Sequence, residues 1–381
     1  MKLLLVTFLF AFTACSSKEA VKNDHSQNVK SWPGKMRNTA ESFQELLPYI
    51  YNADKFSAPK NRSTVEKKIE RFANSIHNIE TKKARSILGD DPYILQSLDQ
   101  LKDFSSRAKD IYAKGDFKHS RILLKATTDT CFKCHTRVKF GPESYYWKNF
   151  KISSIDTNPL EKAHILVSMR QYAEAKLYIK KHISELELDG KYGLSYENAI
   201  KYYLMISLRG QNTIEQSKVF VQSKILNAKV PTEFHYTLKH WLKDLKYWGK
   251  NSSELTPTLA GATQALKRSK KPNSERNTVN NLIASSLLHS YLMNEKQRKN
   301  KAQAYYLLGN IYDSLILAGF WDLPEVYYEM CIKYSPKSSI AKKCYNRYRD
   351  NIVVGYSGSR GTLIPNYEYE RLEDLKKEAG L

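Results

Sequence analysis

Two thiols and one imidazole stand within five consecutive residues of this 381-residue chain. They are Cys131, Cys134 and His135, in the order Cys-Phe-Lys-Cys-His. Such a group can ligate a metal ion, close a disulfide, or hold a porphyrin through two thioethers with the imidazole on its iron.

The surroundings of this motif favour the third chemistry. A structural zinc site needs four ligands, and no second Cys-x-x-Cys or His-x-x-x-His stands nearby. A disulfide between Cys131 and Cys134 is the alternative. Cys-x-x-Cys-His is the pattern of c-type haem attachment. We therefore expect one covalent haem c, with Cys131 and Cys134 as thioether anchors and His135 as the proximal ligand of the haem iron.

Four helices predicted between residues 32 and 140 must position this motif. Apolar residues recur at helical spacing in the first three. Asp91 is expected as the N-cap of the third, with Pro92 at its first position, and the fourth runs from about Phe117 through the cysteines. Four amphipathic helices with short polar connections make a bundle, and bundle cores are common cofactor sites. The predicted fold class is all-α, beginning with a four-helix-bundle haem domain.

The end of this region resembles the cytochrome c-prime class. Lys114-Gly115-Asp116 is followed, sixteen residues after the glycine, by Cys131. In that class a Gly-Asp turn separates helices three and four, and the haem motif lies near the end of helix four. The resemblance implies a basic residue close to the haem, for which Lys139 and Arg137 are the candidates.

The distal side of the haem is left open by this resemblance. It implies a residue from helix one, where Met36 is the only methionine. Met36 is either a second iron ligand or a core residue. A six-coordinate iron would suit electron transfer. An empty distal position shielded by Phe43 or Leu47 would instead suit NO or CO binding.

An export signal occupies residues 1–14, MKLLLVTFLFAFTA. Its twelve-residue apolar run is too short to span a bilayer stably and follows one Lys, as in signal peptides. The next residue, Cys15, completes a stretch that resembles the lipobox of bacterial lipoproteins. The resemblance implies lipid attachment at Cys15, and Ser16 implies outer-membrane sorting, facing the periplasm; an ordinary secreted protein is the alternative. Residues 15–31 are polar and predict a flexible tether.

The second half of the chain is predicted to be an array of paired helices. A linker at 141–158 precedes it, the array covers 159–352, and a loop with a short helix covers 353–381. A period of 34 to 40 residues is typical of helical solenoids, which expose an extended concave face. The stretch 308–312, Leu-Gly-Asn-Ile-Tyr, resembles a tetratricopeptide (TPR) helix; a generic α-helical array is the alternative. Helix starts are expected near residues 160, 172, 195, 212, 232, 258, 276, 302, 323 and 338.

Two further cysteines, Cys331 and Cys344, stand thirteen residues apart on what should be successive antiparallel helices. Because disulfides persist in oxidising compartments, export makes a bridge between them reasonable. Two buried free thiols are the alternative.

Charge and location together restrict the partners. The formal charge is +22, which becomes +21 when the signal with its one Lys is removed. Such a charge predicts anionic partners, and export argues against nucleic acid. We expect the membrane to be reached through the lipid anchor, and Lys139, Arg137 and other basic residues to present a positive rim to an acidic periplasmic redox protein or an envelope complex. Cytochrome c-prime relatives are often dimers, so the resemblance also implies a homodimer.

The sequence therefore predicts an exported, lipid-anchored c-type cytochrome for single-electron transfer, with the helical array docking a partner. A gas-binding haem protein for NO or CO is the first alternative. A periplasmic scaffold with a structural haem is the second. No catalytic constellation emerges from the residue pattern, so an enzyme is not expected.

Overall fold

The computed structural model of the protein describes residues 31–82, 86, 89, 91–137, 150–268, 274–315, 323–359 and 361–381. Regular structure in these ranges consists of sixteen α-helices, short 3₁₀ and π turns, and one two-stranded hairpin, so the all-α prediction is confirmed. No helix among them is both long enough and apolar enough to cross a bilayer. The predicted signal peptide, Cys15 and Lys139 lie outside the described residues.

Five helices make up the N-terminal part. They are α1 (Trp32–Ile50), α2 (Ala53–Ser57), α3 (Arg62–His77), α4 (Pro92–Ala113) and α5 (Phe117–His135), with a 3₁₀ turn at Pro59–Asn61. The predicted N-cap of α4 is confirmed, because Asp91 Oδ1 accepts the Tyr93 backbone N–H at 3.0 Å. Between α4 and α5 the chain turns at Gly115, whose φ of 89° lies in the left-handed region that favours glycine.

The four long helices of this part contact one another in a ring: α1 touches α3, α3 touches α4, α4 touches α5, and α5 touches α1. Lys35 pairs with Glu80, and Glu45 pairs with Arg71, so α1 and α3 run antiparallel. The turn at Gly115 likewise reverses the chain between α4 and α5. Consequently the start of α1, the start of α4 and the end of α5 lie at one end of the ring, here called the motif end because it holds Cys131 to His135.

The second half continues helix after helix. Its helices are α6 (Pro159–Ser168), α7 (Tyr172–Leu188), α8 (Leu194–Met205), α9 (Ile214–Ile225), α10 (Thr232–Lys250), α11 (Leu259–Lys267), α12 (Thr278–Leu292), α13 (Arg298–Ser314), α14 (Leu323–Tyr334), α15 (Ser339–Gly355) and α16 (Asn366–Ala379). A π-helical turn at Ile206–Gln211 follows α8, and 3₁₀ turns lie at Ile152–Ser154, Ser252–Glu254 and Glu275–Asn277. Strands β1 (Ser357–Gly358) and β2 (Gly361–Thr362) pair antiparallel. Each of the ten predicted starts falls within four residues of an observed one.

Close contacts join the last helix pairs. Cys331 on α14 and Cys344 on α15 form a disulfide, with 6.3 Å between their Cα atoms. Gly309 on α13 faces Tyr328 on α14, and a Cβ atom at this glycine would stand 2.4 Å from the tyrosine Cε1. The absence of a side chain at Gly309 therefore allows these two helices to approach each other.

The two predicted domains share one hydrophobic core. Helix α14 contacts α4 directly. The Asp91 carboxylate at the start of α4 accepts hydrogen bonds from His289 on α12 and Tyr327 on α14. The last helices of the array therefore pack on the first helices of the chain, and α12 and α14 provide the donors that the buried Asp91 carboxylate needs.

Candidate cofactor site

The Cys-Phe-Lys-Cys-His motif forms the last turn of α5. Cys131 and Cys134 are half-buried free thiols, so the disulfide between them that the sequence left open is not formed. Burial raises the pKa of Cys131 to about 12 and raises that of Cys134 as well. Both thiols are therefore protonated at neutral pH in the folded chain.

The ring of His135 has a defined tautomer. Its Nδ1 lies 3.2 Å from the Val167 carbonyl oxygen, and a carbonyl only accepts, so Nδ1 carries the proton and Nε2 keeps its lone pair. Burial, and after it the positive charge of Arg170, lowers the pKa of His135 to about 4. The imidazole is thus neutral at pH 7, which is the form that ligates metals.

Helices α6 and α7 provide the groups that hold His135. Val167 lies in the last turn of α6, and the hydroxyl of Tyr172, the first residue of α7, donates to the His135 carbonyl at 2.9 Å. Arg170 forms the turn between these helices with a left-handed φ of 60°. Sequence reasoning missed Val167 and Tyr172, because these contacts join residues 32 and 37 positions apart and no local pattern signals them.

The other residues of the motif turn pack on the array as well. The Phe132 ring lies 4.5 Å from the His164 ring and 5.4 Å from the Tyr202 ring, centroid to centroid. Thr136, which ends α5, donates its hydroxyl to the Phe132 carbonyl at 2.8 Å, and its Oγ1 also lies 3.2 Å from the Met205 sulfur on α8. The motif turn is therefore fixed in place by α6, α7 and α8.

The two distal candidates occupy different depths of α1. Met36 lies half-buried in the first turns of the helix, at the motif end, against a cluster that includes Ile79 and Ile94. Phe43 is buried two turns farther along, and its ring lies 5.0 Å from that of Phe72. Phe43 therefore belongs to the packing between α1 and α3, whereas Met36 shares an end of the ring with His135.

Arg137 does not lie where the sequence placed it. It was expected on an exposed positive rim, but the side chain is only 1% exposed, and its Nε lies 3.4 Å from Asp91 Oδ2. That expectation is wrong, because the buried carboxylate at the start of α4 provides a counter-charge inside the protein. Lys139, the other basic candidate, is outside the described residues.

Arg137 belongs to a buried polar cluster, here called the Asp91 network, with members Asp91, Arg137, Arg209, His289, Tyr312 and Tyr327. His289 bridges the Asp91 carboxylate through Nδ1 and the Tyr312 hydroxyl through Nε2, both at 2.8 Å. Arg209, on the π-helical turn, donates to the Tyr312 hydroxyl at 2.9 Å and to the Arg137 carbonyl at 3.2 Å. Tyr327 donates to Asp91 at 3.2 Å.

The protonation states in the Asp91 network follow from these contacts. Burial opposes the charge on Asp91, but the guanidinium of Arg137 and the hydrogen bond from His289 hold the pKa of this carboxyl well below its usual range. Burial lowers the pKa of His289 to about 3, despite the opposing effect of Asp91. Asp91 is therefore ionised and His289 neutral at pH 7.

A groove of about 760 Å³ lies between α4 and α14. Pro92, Leu95, Gln96, Met330 and Tyr334 are among the residues that line it. Cys131, Cys134 and His135 do not line this groove, so we do not assign the groove to the motif. Among the described residues, no three His, Cys, Asp or Glu side chains converge as a metal-ion site.

The donor set of the motif turn fits a covalently attached haem. It offers two free thiols one helical turn apart and one neutral imidazole that donates through Nδ1 to a carbonyl, as metal-ligating histidines commonly do. No protein family, curated protein or solved structure matches this chain.

Proposed function

We propose that this protein is an exported, lipid-anchored c-type cytochrome that transfers single electrons. The observation that carries the proposal is the His135 imidazole, whose Nδ1 is held by the Val167 carbonyl. His135 directly follows Cys134 in the sequence, and Cys131 and Cys134 are both free thiols. Metal-ligating histidines almost always donate their second ring N–H to a carbonyl, a carboxylate or water. When bound, the haem supplies a one-electron iron couple whose potential depends on the axial ligands.

The contacts among the long N-terminal helices support a cytochrome c-prime-like four-helix bundle with Met36 as the second axial ligand. Arg121 on α5 donates to the Ile50 carbonyl on α1 at 3.2 Å. From this contact, Met36 and His135 each lie fourteen residues away toward the motif end. At 1.5 Å per residue the two side chains are brought to similar levels along antiparallel helices.

The TPR-like array has a second role in this proposal beyond docking a partner. Its helices α6 and α7 hold His135, so they set the orientation of the iron ligand. An acidic redox protein or an anionic envelope complex is the partner that the charge of +21 on the mature chain would favour. A lipid on Cys15 would keep the protein at the membrane surface.

Haem attachment tests the proposal directly. The full chain is produced in cells with a haem-attachment system, and a denaturing gel is stained for covalent haem. We expect the stain in the wild type and its loss in the double variant Cys131→Ser, Cys134→Ser. The matched control, Cys331→Ser with Cys344→Ser, removes the other two described cysteines and should keep the stain. A wild-type protein without covalent haem refutes the proposal.

The spectrum then separates electron transfer from gas binding. With Met36 on the iron, the ferrous protein should be low-spin and slow to bind CO. Met36→Ala should become high-spin and bind CO promptly, whereas Met330→Ala, a methionine at the groove between α4 and α14, should behave as the wild type. A high-spin wild type that binds NO or CO at once would favour the gas-binding function. Attached haem that neither exchanges electrons nor binds gas would favour the scaffold.

A further inference from the structure

The turn between α6 and α7 closes the first of these helices with two backbone hydrogen bonds. The Arg170 N–H donates to the Val167 carbonyl and the Gln171 N–H to the Leu166 carbonyl, both at 2.8 Å. This pair of bonds is the Schellman motif, in which the residue that makes the shorter loop is left-handed and is usually glycine. Here that residue is Arg170, with a φ of 60°. Strained backbone of this kind persists where the surroundings fix it, and it clusters at functional sites.

The Arg170 side chain lacks the partners that usually accompany a buried guanidinium. Its Nε and Nη2 atoms are buried without a hydrogen-bond partner among the described residues. A guanidinium inside a protein is normally paired with a carboxylate, because burying a charge is otherwise unfavourable. An ion pair through these two nitrogens therefore does not account for the position of Arg170.

His135 lies next to this turn in the fold. The Val167 carbonyl that accepts the Arg170 N–H also accepts the His135 Nδ1–H, at 3.2 Å. One oxygen atom thus joins the backbone of the turn to the imidazole ring. The positive charge of Arg170 reaches the ring as well, since it is the next cause, after burial, of the lowered pKa of His135. Such a charge acts more strongly here than in water, because the effective dielectric constant inside a protein is lower.

We infer that Arg170 is a positioning residue of the haem site, which acts through His135 and whose positive charge stabilises the reduced iron. The inference rests on the proposed function, because it requires the haem. Reduction brings one electron from the redox partner to the iron and removes one unit of positive charge there. A cation beside the axial ligand therefore favours the ferrous state and raises the midpoint potential. Arg170 belongs to the helical array, so the array contributes to the redox chemistry as well as to partner docking.

Potentiometry of the haem-loaded full chain tests this role. Arg170→Gln removes the charge, Arg170→Gly removes the charge and relieves the left-handed backbone, and Arg170→Lys keeps the charge. We expect the first two variants to shift the iron equilibrium about tenfold toward the ferric state, a fall of about 59 mV in midpoint potential for a one-electron couple. Arg170→Lys should stay near the wild type. The matched control is Lys337→Gly, which changes another cation with a left-handed φ, 56°, in the exposed turn between α14 and α15 and should leave the potential unchanged.

The outcomes distinguish the role of Arg170 from the haem itself. A wild type with covalent haem, whose midpoint potential is the same in Arg170→Gln and Arg170→Gly, overturns the inference and leaves the cytochrome standing. An equal fall in Arg170→Lys also overturns it, because the effect then comes from packing and not from charge. A wild type without covalent haem overturns both proposals. If Arg170→Gln fails to mature, Arg170→Gly decides the question, since glycine is favoured at this turn.

Discussion

Replacing Asp91 with Asn isolates the charge at the centre of the Asp91 network. Asn is as good an N-cap as Asp, so the hydrogen bond from the Tyr93 N–H to the retained oxygen should survive. The amide NH₂ would replace the oxygen that now faces Arg137 Nε at 3.4 Å and His289 Nδ1 at 2.8 Å. Arg137 Nε and His289 Nδ1, both hydrogen-bond donors, would then face the NH₂ group of the new amide, which is also a donor, in a buried site.

The expected cost follows from this geometry. Removing one partner of a buried ion pair costs about 3 to 5 kcal/mol of unfolding free energy, because the other charge stays buried and unpaired. Among the described residues, the two arginines of the Asp91 network would then have no counter-charge within the network. We therefore expect Asp91→Asn to lie in the upper part of this range.

Urea unfolding followed by circular dichroism measures the effect on the full chain. The matched control is Asp116→Asn, which changes another N-cap aspartate, the one that accepts the His119 N–H at the start of α5. Asp116 is exposed, so its loss of charge should cost much less than the loss at Asp91. If Asp91→Asn unfolds within about 1 kcal/mol of the wild type, or no earlier than Asp116→Asn, the reasoning about the buried charge is refuted.

Three further perturbations address other parts of the molecule. Gly309→Ala should destabilise the chain by about 1 to 3 kcal/mol in urea unfolding, because its Cβ would stand 2.4 Å from Tyr328; an unchanged midpoint would contradict the close approach of α13 and α14. His289→Gln should reduce the loss of stability on acidification. Burial lowers the pKa of His289 to about 3, so the unfolded chain takes up the proton first as the pH falls below about 6.5. Wild-type stability should then fall toward pH 3 by up to about 1.4 kcal/mol per pH unit from this group, and an identical slope in the variant would contradict the assignment. Replacing Cys331 and Cys344 together by Ala should cost about 3 kcal/mol, as expected for opening a loop of this length, and a midpoint equal to that of the oxidised wild type would contradict it.

Local patterns in the sequence were sufficient for the helices. The predicted starts of the array helices fall close to the observed ones, and the N-cap Asp91 was foreseen because it is decided by neighbouring residues. The turn at Gly115 was expected from the resemblance to the cytochrome c-prime class. The same patterns could not reveal that Asp91 would be buried. An aspartate N-cap is normally exposed, and its partners His289 and Tyr327 follow it by 198 and 236 residues.

In the candidate site, too, local patterns identified the reactive residues but not the distant residues that surround them. Cys131, Cys134 and His135 were found from spacing alone. Their surroundings, such as the Val167 carbonyl, come from later helices whose own patterns signal only helix formation. Arg137 was placed on the surface because a lone arginine after a helix is usually exposed. Its burial depends on the Asp91 carboxylate, which is far from it in the sequence.

The long separation between Asp91 and His289 has a consequence for the order of folding. Contacts between residues so distant in sequence form slowly, because a large loop must close first. The N-terminal helices can therefore assemble early, while the surroundings of Cys134 and His135 stay incomplete until α12 and α14 arrive from the end of the chain. We expect the thiols to be most accessible to an attachment machinery during this interval. A chain truncated before α12 would leave the Asp91 carboxylate without its His289 and Tyr327 donors. We expect the surroundings of Cys134 and His135 to stay incomplete in such a chain.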